Sequence, residues 1–70
     1  MTTGDNIKRW RERRALSQEG LGELAGISAN TIWRLETEGR APRPTTLRKI
    51  ADALQVDPAV LLDGKGAGDA

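Results

Sequence analysis

The side chains of this chain that could take part in chemistry are mostly charged. Its 70 residues include eleven lysines and arginines and ten carboxylates, but no histidine and no cysteine. Thiol and imidazole catalysis are therefore excluded, and a zinc or iron–sulfur site would have to be built from carboxylates alone. The carboxylates show no paired spacing within a glycine-rich pocket motif. We accordingly expect a protein that is not an enzyme and that has neither a cofactor nor a bound metal.

The charges are distributed unevenly along the chain. Residues 1–14 and 34–49 each carry five basic and two acidic side chains, whereas residues 15–33 and 50–70 are net acidic. If the two basic segments meet in space, they form a basic face on a protein of net charge +1, and nucleic-acid binders present such a face. Ordinary solubilising arginines would give the same pattern, so the charges alone leave both interpretations open.

Helical start and stop signals occur five times, and no alternating strand pattern is present. We therefore predict one all-α domain, a compact five-helix bundle over residues 1–63, followed by a flexible glycine-rich tail at 64–70. The predicted helices run from Asp5 to about Arg14, from Gln18 to about Ala25, from Ala29 to about Thr37, from a cap at Thr45 or Thr46 to about Gln55, and from Pro58 through Leu62. The longest apolar run, 59–62, is too short to cross a membrane and no signal peptide is evident, so a cytoplasmic protein is expected.

The second and third predicted helices are joined by a short turn, as in a helix-turn-helix. Ser17 and Ser28 are good N-caps for these helices, and Gly26 supplies a turn residue that tolerates a positive φ. Gly22 either weakens its helix or lies where a neighbouring helix crosses too closely for a larger side chain. The apolar side chains expected in the core of this pair are Leu21, Leu24, Ala25, Ile27, Ile32 and Leu35.

A helical wheel separates the outward side chains from the inward ones. In the third helix Asn30, Trp33 and Arg34 point away from the core, with Ala29 beside them. In the first helix Arg11 lies on the core-facing stripe. A guanidinium in that position needs a carboxylate partner, because its desolvation would otherwise be costly.

Four linked motifs identify a family. They are the R-x-x-x-x-L-S-Q start at 11–18, the G-[IV]-S turn at 26–28, the I-x-x-L-E end at 32–36 and the P-x-x-x-T-L-x-K-I-A-x-A-L block at 42–54. On these motifs the chain resembles, from about Ile7 to Leu62, the lambdoid-repressor and Cro-type helix-turn-helix family, also called the XRE family. The resemblance implies a five-helix domain that binds double-stranded DNA with its third helix in the major groove.

The resemblance also implies roles for individual side chains. Base edges would be contacted from the start and the outer face of the third helix, where asparagine suits adenine and arginine suits guanine. The expected base-contacting residues are Ala29, Asn30, Trp33 and Arg34, and the expected phosphate-contacting residues are Gln18, Ser28, Thr31, Arg40, Arg43 and Thr46. Arg11 is expected to pair with Glu36 as a structural clamp.

Other roles are possible for Trp33 and for the two arginines of the 38–44 loop. Trp33 could pack over the 38–44 loop, contact DNA or belong to a protein interface. Arg40 and Arg43 could serve only the solubility of their loop.

The function predicted from the sequence is that of a sequence-specific DNA-binding transcriptional regulator of the repressor type. Because one recognition helix reads only a few base pairs, we expect a homodimer on a pseudo-palindromic operator, with Val60 and Leu61 in the interface. The alternative is a protein-interaction module on the same fold, such as an antitoxin, whose partner would cover Leu61, Leu62 and Trp33. The outward Asn30 and Arg34 beside a basic loop favour DNA.

Overall fold

The computed structural model describes residues 2–38 and 42–63, which form five α-helices and no strand. The predicted all-α, five-helix architecture is confirmed for this part of the chain. The helices are α1 (Thr3–Arg13), α2 (Gln18–Ala25), α3 (Ala29–Glu38), α4 (Pro44–Leu54) and α5 (Pro58–Asp63). The described residues exclude 39–41, which contain the predicted phosphate contact Arg40, and the predicted tail at 64–70.

The core is a single cluster to which every helix contributes. α3 packs against α1 and α2, α2 also packs against α4, and α5 packs against α1 and α4. The buried apolar side chains are Ile7, Leu21, Ala25, Ile32, Leu47, Ile50, Ala51, Leu54 and Leu61. In α4 the buried side chains lie at helical spacing and form one inner stripe, which consists of Leu47, Ile50, Ala51 and Leu54. In α3 Ile32 is fully buried and Leu35 packs against the core, whereas five of the ten residues of the helix are exposed.

The environments of two leucines were predicted wrongly. Leu61, expected in a dimer interface, is fully buried. It completes the core because α5 folds back onto α1, where Asn6 Nδ2 donates a hydrogen bond to the Leu61 carbonyl oxygen at 2.8 Å. Leu24, expected in the core, is 62% exposed. α2 buries Gly22 instead, which turns the contact surface of this helix away from Leu24.

α1 begins two residues earlier than predicted, at Thr3. Thr2 Oγ1 accepts a hydrogen bond from the Asp5 backbone N–H, and Asp5 Oδ2 accepts one from the Thr2 N–H, both at 3.1 Å. This reciprocal capping box satisfies two donors that the first turn would otherwise leave unpaired. The hydrogen bond from the Thr2 backbone lowers the pKa of the Asp5 carboxyl below its ordinary value.

α4 also begins earlier than predicted. Its first residue is Pro44 and its N-cap is Arg43, so neither Thr45 nor Thr46 caps the helix. Proline fits the first helical position because its φ is already helical and its missing N–H would have had no partner there. The Arg43 side chain makes no cap hydrogen bond. The first turn of α4 therefore receives no side-chain acceptor from its cap.

Two glycines lie where helices approach neighbouring backbone. A Cβ atom on Gly22 would lie 2.6 Å from the carbonyl oxygen of Ile27, in the turn that precedes α3. Of the two alternatives for Gly22, the close approach is therefore the one that the structure supports, and the nearest neighbour is the turn before α3. A Cβ atom on Gly4 would overlap the carbonyl oxygen of Leu35, where α1 crosses α3. Because Gly22 and Gly4 have no side chain, α3 can approach α2 at its beginning and α1 near its end.

Candidate nucleic-acid interface

The turn between α2 and α3 determines where α3 begins. Gly26 ends α2 in the left-handed conformation, at φ +75°, as its predicted role requires. Ser28 Oγ then accepts a hydrogen bond from the Thr31 backbone N–H at 3.1 Å and caps α3. The Ser28 and Thr31 hydroxyl oxygens also lie 2.8 Å apart, within hydrogen-bond distance. Ser28 and Thr31, both predicted to contact DNA phosphates, are thus hydrogen-bonded to each other.

The two faces of α3 differ sharply in burial. Ile32 is fully buried on the inner side, whereas Asn30, Trp33 and Arg34 are exposed on the outer side, as the wheel predicted. Half of the Trp33 side chain is exposed. Ala29, the fourth predicted base contact, is half-buried and lines a hollow next to the start of α2. The outer face therefore combines an amide, a guanidinium and an indole within two helical turns.

Arg34 has a partner on its own helix that the sequence analysis did not identify. Its Nε donates a hydrogen bond to Glu38 Oε2 at 3.3 Å, and both side chains are more than two-fifths exposed. Glu38 follows Arg34 by four residues, which is the spacing at which helical side chains meet, so the pair was readable from the sequence. An exposed pair of this kind contributes only about 0.3–0.5 kcal/mol. Arg34 is therefore oriented along α3 but easily released.

A cleft of about 270 Å³ lies between α3 and the beginning of α4. It is lined by Thr31, Arg34, Leu35, Glu38, Pro42, Arg43 and Thr46. Four of these seven residues are predicted DNA contacts from two separate helices and the segment between them. The cleft thus has two guanidinium groups, two hydroxyls and the Glu38 carboxylate, beside the apolar side chains of Leu35 and Pro42. The fold thus brings Arg43 into the same cleft as Thr31 and Arg34 of α3.

The end of α3 is tied to α1 and α2 by a hydrogen-bonded ion pair. Arg11 Nε and Nη2 donate to the two carboxylate oxygens of Glu36 at 2.8 and 3.1 Å, and Arg11 Nη1 donates to the Leu16 carbonyl oxygen at 2.8 Å. The Arg11 side chain is 11% exposed and that of Glu36 is 3% exposed. The hydrogen bond with Glu36 raises the pKa of Arg11 above its ordinary value. The structure thus brings together the two residues that the sequence analysis paired.

Gln18 takes part in the same arrangement. Its Nε2 donates to Glu36 Oε1 at 3.1 Å, so the Glu36 carboxylate accepts from both α1 and α2. A carboxylate has no donor of its own, so this contact fixes which side of the Gln18 amide faces Glu36. The amide retains one N–H and its carbonyl oxygen for a ligand. Gln18 is predicted from the sequence to contact a DNA phosphate, and its hydrogen bond to Glu36 is an additional role that only the fold reveals.

These elements match a known family. The sequence profile described as "Helix-turn-helix domain" matches residues 4–63, which span α1 to α5. The chain belongs to the helix-turn-helix family of the XRE type. In this helix-turn-helix domain α2 and α3 are the paired helices, and the four motifs quoted from the sequence lie within the matched range.

Two curated relatives share this helix-turn-helix domain. PrtR, an HTH-type transcriptional regulator of Pseudomonas aeruginosa, is 46% identical over 61 residues, which are 87% of this chain and 23% of PrtR. RghR, an HTH-type transcriptional repressor of Bacillus subtilis, is 37% identical over 54 residues, which are 76% of this chain and 40% of RghR. The chain therefore spans less than half the length of either relative.

A solved structure with the same helix-turn-helix fold is the P22 c2 repressor. Its DNA-binding domain matches with a TM-score of 0.86 and 29% identity, covering 93% of this chain and 86% of that one. The same repressor in complex with a synthetic operator matches with a TM-score of 0.84 and 30% identity, covering 91% of this chain and 97% of that one.

Residues 2–38 and 42–63 contain no group of three or more carboxylates placed to hold a metal ion. None of the helices in these two ranges is both long enough and apolar enough to span a membrane.

Proposed function

We propose that this helix-turn-helix domain binds double-stranded DNA sequence-specifically and acts as a cytoplasmic transcriptional repressor rather than as an enzyme. The observation that carries the proposal is the outer face of α3, where Asn30, Trp33 and Arg34 are exposed beside the cleft that contains Arg43. In helix-turn-helix proteins the second helix of the pair lies in the major groove and contacts base edges. The similar proteins support this function, since they are a transcriptional regulator, a transcriptional repressor and a repressor bound to a synthetic operator.

We assign the base contacts to the exposed side of α3. Asn30 can bond adenine through N6 and N7, and Arg34 can bond guanine through O6 and N7. Arg34 would exchange its bond to Glu38 for the guanine, which costs little because the pair is exposed. Ala29 contributes only a small apolar contact at the start of the helix.

The phosphate contacts come from residues on either side of α3. Thr31, Arg43 and Thr46 share the cleft with Arg34. The uncapped first turn of α4 adds backbone N–H groups, which favour an anion at a helix N-terminus. On the α2 side, Gln18 retains one amide N–H for a phosphate, and Ser28 would have to exchange its bond to the Thr31 hydroxyl. Arg40 belongs to the same proposal by its sequence position alone.

We further propose that two copies bind one pseudo-palindromic operator. A single recognition helix reads only a few base pairs, so specificity requires two half-sites one DNA turn apart. Because Leu61 is in the core, the outer side of α5 offers Leu62, which is 51% exposed, and the half-buried Val60 as the candidate dimer interface.

Selection from random-sequence DNA with the purified chain tests the proposal. We expect enrichment of a short motif repeated as a dyad, and we expect the Asn30→Ala/Arg34→Ala double variant to lose that enrichment. Lys8→Ala, on the exposed side of α1, removes a positive charge without touching α3 and serves as the matched control. Enrichment of no motif by the folded protein would reject DNA recognition and favour a protein-interaction module instead.

A further inference from the structure

Trp33 is a large apolar side chain on the otherwise polar outer face of α3. Its neighbours Asn30 and Arg34 are polar and exposed, whereas the indole is a large apolar group with half of its surface in water. Within the described residues the exposed large apolar side chains are Leu24, Trp33 and Leu62. Of these three, Trp33 is the one on the helix that we propose to enter the groove.

Trp33 is the fifth residue of α3, one turn after the helix begins. Side chains in a helix lean toward the N-terminus and cover the turn before their own Cα. Ala29 lies four residues earlier on the same side of α3, and its side chain is only a methyl group. The N-terminal part of a recognition helix is the part that contacts base edges. The indole is thus an apolar surface at the depth at which bases are read.

The major groove offers one apolar feature that varies with sequence, the C5-methyl group of thymine. We infer that Trp33 determines specificity by contacting the C5-methyl group of a pyrimidine in each operator half-site. The inference rests on the proposed function and specifies one chemical group that the site selects. DNA is favoured over a protein partner because the indole shares the exposed outer face of α3 with the Asn30 amide and the Arg34 guanidinium. The polar ends of Asn30 and Arg34 read hydrogen-bonding groups and Ala29 offers a single methyl group, so Trp33 is the large apolar surface on this face that can cover a thymine methyl group.

Substitution of deoxyuridine for thymidine tests this inference, because it removes only the C5-methyl group. Each thymine of the selected operator is replaced in turn, in both half-sites, and the affinity of the unmodified protein is measured by fluorescence anisotropy. Loss of one buried methyl group should weaken binding about 4-fold at the contacted position. All other thymines serve as internal controls, and this arm requires no protein variant.

A protein variant then identifies the side chain responsible. Trp33→Ala should bind the thymine and uracil operators equally well at that position. Asn30→Ala is the matched control and should retain the 4-fold preference for thymine while losing preference elsewhere.

Three results would overturn the inference. The unmodified protein could tolerate uracil at every position, or Trp33→Ala could retain the full thymine preference. In either case a preferred operator still exists and the proposed function stands. If the folded protein prefers no sequence at all, both the inference and the proposed function fail.

Discussion

The ion pair between Arg11 and Glu36 should contribute much of the stability of this small domain. Arg11→Ala removes three donated hydrogen bonds and leaves the carboxylate of Glu36, which is 3% exposed, without its cation. Removing one partner of a buried pair costs roughly 3–5 kcal/mol. The cost here should be lower, because Gln18 still donates to Glu36 and because the 11% exposure of Arg11 lets water approach.

We therefore expect Arg11→Ala to lower the free energy of unfolding by about 2–3 kcal/mol. In a domain of this size that corresponds to a fall in Tm of about 15 °C. Urea and thermal unfolding, followed by circular dichroism at 222 nm, measure both quantities. Arg13→Ala is the matched control, since Arg13 is exposed and its guanidinium only stacks over the Trp10 ring at 5.2 Å. It should change stability by no more than about 1 kcal/mol.

A second variant tests the cause of the loss. Adding Glu36→Gln to Arg11→Ala replaces the uncompensated carboxylate with a neutral amide and should recover about 1 kcal/mol. If Arg11→Ala and Arg13→Ala melt within 2 °C of each other, or if Glu36→Gln makes the Arg11→Ala variant worse, the charge-pairing account of this contact is wrong.

Three further predictions follow from contacts elsewhere in the domain. Gly4→Ala should lower the free energy of unfolding by roughly 1–3 kcal/mol because its Cβ would overlap backbone, whereas Gly20→Ala, which meets only side-chain atoms, should stay within about 1 kcal/mol in urea unfolding. Arg43→Ala should weaken binding to cognate and scrambled duplexes alike and reduce the slope of log K against log salt by about 0.9. Arg34→Ala should leave that slope unchanged and remove the preference for one base of the operator. The pKa of Asp5 is lowered on folding, so its ionised carboxylate stabilises the folded state. At pH 7 the unmodified protein should therefore have a higher free energy of unfolding than Asp5→Asn. This difference should fade as the pH falls below about 3.9 and through the folded pKa, and urea midpoints between pH 7 and pH 2 measure it.

Local signals in the sequence were enough to predict the helix-turn-helix pair. Ser17 and Ser28 are N-caps in the structure, and Gly26 ends α2 in the left-handed conformation, because these roles depend on neighbours within four residues. The inner stripe of α4 was predictable for the same reason, since helical periodicity alone determines which side chains share a face. The outward position of Asn30, Trp33 and Arg34 followed from the same periodicity.

The errors lie where contacts between helices decide the outcome. The burial of Leu61 depends on α5 returning to α1, and the exposure of Leu24 depends on α2 turning Gly22 inward. Neither the burial of Leu61 nor the exposure of Leu24 can be predicted from the hydrophobic periodicity of its own short helix. The importance of Gly4 was also missed, because only the crossing of α1 and α3 shows that a Cβ atom has no room there. In the candidate site, the gathering of Arg34 and Arg43 in one cleft required the fold itself.

The ratio of affinities for cognate and scrambled DNA tests the central proposal most directly. For the unmodified protein at fixed salt we expect the selected operator to bind at least about 10³-fold more tightly than a scrambled duplex of the same composition. The Asn30→Ala/Arg34→Ala variant should reduce this ratio severely, mainly through weaker binding to the operator, while its affinity for the scrambled duplex changes little. An unchanged ratio in that variant, with the fold intact by circular dichroism, would contradict base recognition by the outer face of α3.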